Sequence, residues 1–120
     1  MLCPIWHNTF LWVIILIRFG PSGNPDSFYN AGYKSSVDMP KWLGGMGLNA
    51  YEYQCNRGVR IGKETAEKLG EEALKYDVFL SIHAPYYINM ASPEEEKRKN
   101  SRNYIIKTLK AAKWMWAKRI

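Results

Sequence analysis

VFLSIHAPYYINMAS, residues 78–92, is the stretch from which the rest of the chain can be read. Val78 to His83 is a nearly continuous apolar run, the pattern of a parallel strand covered on both faces. It ends on a histidine. In α/β barrels the C-terminal ends of the strands carry the functional groups, and an imidazole held there by the sheet can turn one nitrogen toward the mouth. That placement suits a zinc ligand. On spacing alone a single histidine at a strand end is more often a hydrogen-bonded structural residue, and one imidazole is not a metal site.

Outward from this strand the chain alternates short strand-like runs with helix-like runs, which is the order of βα units around a parallel sheet. Downstream, Ser92 as N-cap, Pro93 at the first helical position and Glu95 three residues after the cap predict a helix. Ile105, Leu109, Ala112 and Trp116 lie on one face of it, and Arg119 and Ile120 then open a fourth strand. Upstream, a helix from about Lys63 to Tyr76 carries Ala66, Leu69, Gly70 and Ala73 as an apolar stripe. Before it, Ala50 to Gln54 reads as a strand with Tyr51 and Tyr53 on one face and Glu52 and Gln54 on the other. Ser36 to Met46 reads as a short helix, with Asp38 placed to accept bonds from its first-turn amides and Pro40 within that turn. A first strand is expected over Ile14 to Phe19, followed by the turn-forming stretch GPSGNPDS at residues 20–27.

This gives three βα units and the start of a fourth strand. The fold class is α/β, a partial (β/α)8 barrel, since a complete one typically takes about 250 residues. Such a sheet has open edges, so self-association through them is expected.

With 120 residues and 47% hydrophobic content the chain can build one core. Seventeen Lys and Arg against eleven Asp and Glu leave +6, a balance that favours contact with polyanions such as DNA or with an acidic surface. Most of the excess follows Glu96, where a solvated helix face accounts for it. Cys3 and Cys55 form no paired-spacing motif, which fits a reduced, cytoplasmic protein. The apolar run Phe10 to Ile17 is too short for a membrane span, which needs roughly 20 residues. It lacks the features of an export signal, so no membrane association is expected and residues 1–16 stand as an unassigned apolar extension. His7, within it, carries no chemical signal.

SIHAPYYINMAS, the helix with KAAKWM and the AKRI after it resemble the third βα unit of the endonuclease IV family, a group of xylose isomerase-like TIM barrels. RFGPSGNPDSFY and LNAYEYQCNRGVR are similar to its first two units. The resemblance covers residues 17–120 as the N-terminal part of such a domain. It implies a zinc-dependent hydrolase of DNA base excision repair that cleaves the phosphodiester 5′ to an abasic site in double-stranded DNA. In that family a multinuclear zinc cluster is held by His, Asp and Glu residues from several strand ends. Only His83 matches one of those ligands, so the isolated chain is expected to be inactive. Asn56 and Arg57 match the loop whose basic residue enters the duplex beside the lesion, with Arg60 as a rival. Tyr86 and Tyr87 match the positions that wedge into the base stack; barrel-rim packing is the plainer account of both. Asn89 reads as a loop brace. Trp116 departs from the family, which usually carries a glycine-like residue there.

Two other readings stay open. A sugar isomerase or epimerase of the same barrel class would need a closed pocket without a basic groove. A non-catalytic barrel fragment would need no chemistry of its own.

Overall fold

The computed structural model describes residues 17–120. Two strands, β1 (Ala50–Gln54) and β2 (Phe79–His83), pair in parallel with Ala50 opposite Phe79 and Gln54 opposite His83. The expected strand at Ala50–Gln54 is met residue for residue, and that at Val78–His83 starts one residue later. Lone parallel bridges extend the sheet on both sides, Ser22 to Glu52 and Ser81 to Arg119. The backbone order is therefore 22, β1, β2, 119, each neighbour parallel to the last. A parallel ladder added in chain order with a helix between each pair is how a (β/α)8 barrel is wound.

Each flank is thinner than its sequence suggests. Ile14 to Leu16 of the expected first strand lie outside the described residues, and Ile17 to Pro21 form no regular strand. Phe19 O accepts from the amides of Asn49 and Ala50, and Pro21 O accepts from that of Glu52. Pro21 has no N–H to return, so pairing becomes reciprocal only where Gly23 N donates to Glu52 O at 2.9 Å. On the far side Lys118 N donates to Leu80 O at 2.9 Å and Ile82 N to Arg119 O at 3.0 Å, the beginning of the expected fourth strand.

The loop after residue 20 holds a short helix that the turn-rich composition hides, α1 (Asp26–Asn30). Phe28 anchors it: its ring is fully buried, stacked on Tyr33 at 5.1 Å and edge-on to Trp42 at 5.5 Å. The helix expected over Ser36 to Met46 is a 3-10 turn (Ser36–Asp38) running into α2 (Met39–Gly45). Ser35 supplies the cap, accepting from Val37 N at 3.3 Å, and the Asp38 side chain makes no capping bond. The preceding residue takes the role because the chain tightens one turn earlier than Pro40 suggests.

Helix α3 (Lys63–Lys75) buries Ala66, Leu69, Gly70 and Ala73, the stripe its periodicity predicts. Burying a leucine such as Leu69 completely contributes roughly 1.5–3 kcal/mol. Helix α4 (Glu95–Trp114) differs from expectation twice. It starts two residues late, because Ser92 Oγ accepts from Glu94 N two residues on and closes a turn rather than capping a helix. Its buried line is also rotated. Ser101, Thr108, Ala111, Ala112 and, just beyond the helix, Met115 are buried, while Leu109 and Trp116 are about half exposed. Ser101 and Thr108 can enter because each hydroxyl donates to the carbonyl four residues back, Lys97 O and Tyr104 O, both at 2.8 Å. Their polar atoms are satisfied within the helix, so a hydroxyl face packs as a small apolar one.

The core thus lies between the sheet and its helices, with Tyr51, Leu80 and Ile82 facing Met39, Leu43, Leu69 and Met115. No helix among the described residues is long and apolar enough to cross a membrane.

Candidate functional site

The register sets the level of the rim. Gln54 and His83 end their strands side by side, and Cys55 N donates to His83 O at 3.0 Å, so the loops leave the sheet together. His83 is exposed at this edge. Its Nδ1 donates to Ala84 O at 2.8 Å. A carbonyl oxygen only accepts, so Nδ1 is the donor and Nε2 is the ring nitrogen left for another partner. A metal-binding imidazole is commonly oriented in this way.

The loops after β1 and β2 are tied to each other. Asn56 adopts a left-handed backbone, φ +47°, which asparagine tolerates better than most residues. Its carbonyl accepts from Tyr86 N at 3.3 Å. Arg57 Nε donates to the Tyr86 hydroxyl at 3.2 Å. Two residues 29 apart in sequence thus share one edge of the fold. The Nη groups of Arg57 have no partner among the described residues. Arg57, Arg60 and Tyr86 line a cleft of about 550 Å³ with Tyr53, Gln54 and Asn56, and no carboxylate belongs to its lining. Two guanidinium groups without a carboxylate beside them give the cleft a positively charged lining.

The other residues singled out from sequence fall around this cleft. Asn56 is in its wall. Tyr87 is not. Its ring lies 4.8 Å from that of Tyr86 and 6.4 Å from that of Tyr104, so it backs Tyr86 against α4. Tyr86 and Tyr87 are both more than half exposed, the state a stacking side chain needs. His83 lies outside the cleft lining, on the neighbouring strand end. Asn89 braces its loop, with Oδ1 accepting from Ala91 N at 3.1 Å and its own amide donating to Ser101 Oγ at 2.9 Å.

Cys55 is buried beneath the cleft, and burial pushes its thiol up to about 11. At neutral pH it is a neutral thiol, unsuited to nucleophilic attack or to ligation as thiolate. Among the described residues no three His, Cys, Asp or Glu side chains converge to hold a metal. His83 fits one place in such a site, and the remaining ligands would have to come from elsewhere.

Sequence reasoning passed over a second polar group. Glu52, on the face of β1 shared with Gln54, accepts from Ser22 Oγ at 2.5 Å, Gln54 Nε2 at 3.2 Å and Ser81 Oγ at 3.5 Å. Its carboxylate ties the edge segment, β1 and β2 together on one face of the sheet. The alternation of Tyr51 and Tyr53 with Glu52 and Gln54 was the available signal; that Ser22 and Ser81 would meet it was not. Next to the basic cleft lies another, of about 410 Å³, lined by Ser22, Asn24, Tyr29, Ser36, Tyr51, Gln54 and Asn56.

Residues 41–120 match the family described as xylose isomerase-like TIM barrel. An uncharacterized protein of Methanocaldococcus jannaschii is 40% identical over 96 residues, which cover 80% of this chain and 33% of that relative. The chain therefore spans about a third of the length of the curated relative it matches.

Proposed function

The chain belongs to the xylose isomerase-like TIM-barrel family, and from that premise we propose that it is the N-terminal portion of an endonuclease IV-like enzyme, a zinc-dependent hydrolase that cleaves the phosphodiester 5′ to abasic sites. The observation that carries this reading is the bond from Arg57 Nε to the Tyr86 hydroxyl. It holds a cation and an aromatic ring together at the level of His83. That is the pairing a damaged duplex calls for: a guanidinium for phosphate or for the gap of the missing base, and a ring that replaces lost stacking.

In this reading His83 offers Nε2 to zinc, while its bond to Ala84 O fixes the ring. A zinc site of this kind supplies hydroxide near neutral pH and charge stabilisation at the scissile phosphate. Asn56, Arg57, Tyr86 and Tyr87 bind and orient the strand, with Arg60 adding charge to the same cleft. The chain brings one zinc ligand, so by itself it is expected to bind duplex without incising it. Its partner is double-stranded DNA with an abasic site, its setting the cytoplasm, and its open strand edges favour self-association.

The test is binding of the 120-residue chain to a duplex with one abasic analogue, followed by fluorescence anisotropy. A preference over intact duplex, lost in Arg57→Ala, is expected, as is a fall in zinc retention in His83→Ala. Equal affinity for both duplexes, or unchanged zinc in His83→Ala, overturns the assignment. Chelator-sensitive incision by the chain alone would overturn the expectation that it is inactive. One observation favours the sugar isomerase reading instead: the neutral, hydroxyl- and amide-lined cleft beside the basic one, whose chemistry would suit a polyol.

A further inference from the structure

The cleft of about 410 Å³ between the first loop and β1 has a defined hydrogen-bond polarity. Asn24 lines it, with both amide hydrogens and its carbonyl engaged. Nδ2 donates to the Tyr29 hydroxyl at 3.2 Å and to Ser36 Oγ at 3.0 Å, and Oδ1 accepts from the Tyr51 hydroxyl at 2.6 Å. Tyr51 is held in this donating role, since burial pushes its phenol up and keeps it neutral. Because Tyr29 and Ser36 each receive a bond from Asn24, their own hydrogens remain for other partners, which for Ser36 include the neighbouring Tyr51 hydroxyl. Gln54 directs Nε2 to Ser22 and Glu52, which leaves its Oε1 as an acceptor. The Asn56 side chain adds an NH2 donor group and a carbonyl acceptor with no partner among the described residues.

The cleft therefore presents both donors and acceptors and no charged side chain among its lining residues. A bare anion would meet the Gln54 carbonyl unfavourably and find no cation. An apolar group would strand the two hydroxyls. A ligand edge that mixes carbonyl and N–H groups satisfies both sets. The size lies within the range of small-molecule sites. Gln54 and Asn56 also form part of the wall of the basic cleft of Arg57 and Arg60, so the two sites adjoin.

We propose that the two clefts together hold one nucleotide unit of a nucleic-acid strand, with its phosphate against Arg57 and Arg60 and its base edge in the neutral cleft, read by Tyr29, Ser36, Gln54 and Asn56. This rests on the nucleic-acid reading above and adds a base-reading site to it. Tyr29 and Ser36 are then specificity-determining residues, and Asn24 is the positioning residue that aims their hydroxyls.

The test uses the full chain and three probes, thymidine 5′-monophosphate, thymidine and inorganic phosphate, titrated by calorimetry. The monophosphate should bind at least about tenfold more tightly than either part, since it joins both clefts. Combining Tyr29→Phe with Ser36→Ala should weaken the monophosphate about tenfold, two lost hydrogen bonds, and leave phosphate unchanged. Unchanged phosphate binding also shows that this variant is folded. Combining Arg57→Gln with Arg60→Gln should weaken phosphate and monophosphate alike. A monophosphate that binds no better than phosphate, or that ignores the Tyr29 and Ser36 changes, overturns the base-reading site alone. Phosphate binding indifferent to both arginines overturns the basic cleft and the functional reading with it. Binding of D-xylose that is lost in the Tyr29 and Ser36 variant would overturn the nucleotide assignment in favour of a polyol.

Discussion

At the C-terminal ends of β1 and β2 the loops hold each other through polar side chains, whereas at the N-terminal ends the chain closes by contact. The upper rim has Arg57 on Tyr86, Asn56 on the Tyr86 amide and the Asn24 cluster, which reaches from the surface down to the buried Tyr51. The lower end has Gly70 of α3 under the turn after α4. A side chain at Gly70 would put its Cβ 2.7 Å from Met115 O and 2.7 Å from the Trp116 ring. Trp116 is left-handed there, φ +54°, a conformation that favours glycine. Its indole rests on the space that Gly70 leaves, which is how the chain accommodates a tryptophan where the endonuclease IV pattern carries a small residue. Arg18 completes this end, bonded to Asp77 O at 2.8 Å and paired with the Asp77 carboxylate at 3.1 Å. The Asp77 side chain is 83% exposed, so the pair adds no more than about 1 kcal/mol. The difference matches how barrels divide labour: the lower face holds the fold, and the upper face can change its side chains without unfolding it.

That division can be broken by substitution. The largest effect is expected at Gly20, where a Cβ would fall 1.5 Å from Ala50 O at the start of β1. Gly20→Ala must push the edge segment off the sheet, at a cost of about 3 kcal/mol in urea unfolding. Gly70→Ala should cost about 2 kcal/mol, because one of its two clashes is with fixed backbone. Trp116→Gly removes the other clash, so in the double variant the cost of Gly70→Ala should shrink by about 1 kcal/mol. Strict additivity of the two changes would show that the indole does not sit on Gly70.

A pH test probes the level between the two ends. The Cys55 thiol is raised from an ordinary 9.0 to about 11 by burial, so the folded chain holds its proton where the unfolded chain has lost it. Stability from this group is complete below pH 9 and drains as pH rises toward 11, by about 1 kcal/mol at pH 10. Cys55→Ala should flatten that slope in unfolding curves taken at pH 8 and pH 10. Part of the slope should persist above pH 10, because burial raises the Tyr51 and Tyr53 phenols as well. The smallest change in stability is expected at Arg57→Ala, within about 0.5 kcal/mol of the parent, even though nucleic-acid affinity falls. If Arg57→Ala unfolds the chain as readily as Gly70→Ala does, the rim is structural and the contrast between the ends disappears.

Several elements were legible because their signals are local. The period-two alternation of Ala50 to Gln54, the stripe on Lys63 to Lys75 and the apolar run into His83 each depend on a few neighbouring residues, and each element falls within a residue of its reading. Helix α4 shows the limit. Its sequence offers Ile105, Leu109 and Trp116 as the inward face, but the packed face carries Ser101 and Thr108, whose hydroxyls are satisfied by the helix itself. Side-chain hydrophobicity could not reveal that, since the bonds exist only once the helix has formed. Ser92 misled for a related reason: its hydroxyl accepts from the Glu94 amide two residues on, ahead of the helix.

By itself the amino-acid sequence determined the βα order, the level at which His83 ends its strand, and the residues of the two loops beside it, because strand and helix periods are set by backbone geometry. Only the tertiary structure decided that Arg57 meets Tyr86, that Glu52 binds Ser22 and Ser81, that Asn24 bonds Tyr29, Ser36 and Tyr51, and that Trp116 rests on Gly70. All of these pairings but those of Asn24 to Tyr29 and Ser36 join residues 27 to 46 positions apart. Their distances follow from register and helix packing, which no local pattern in the chain encodes.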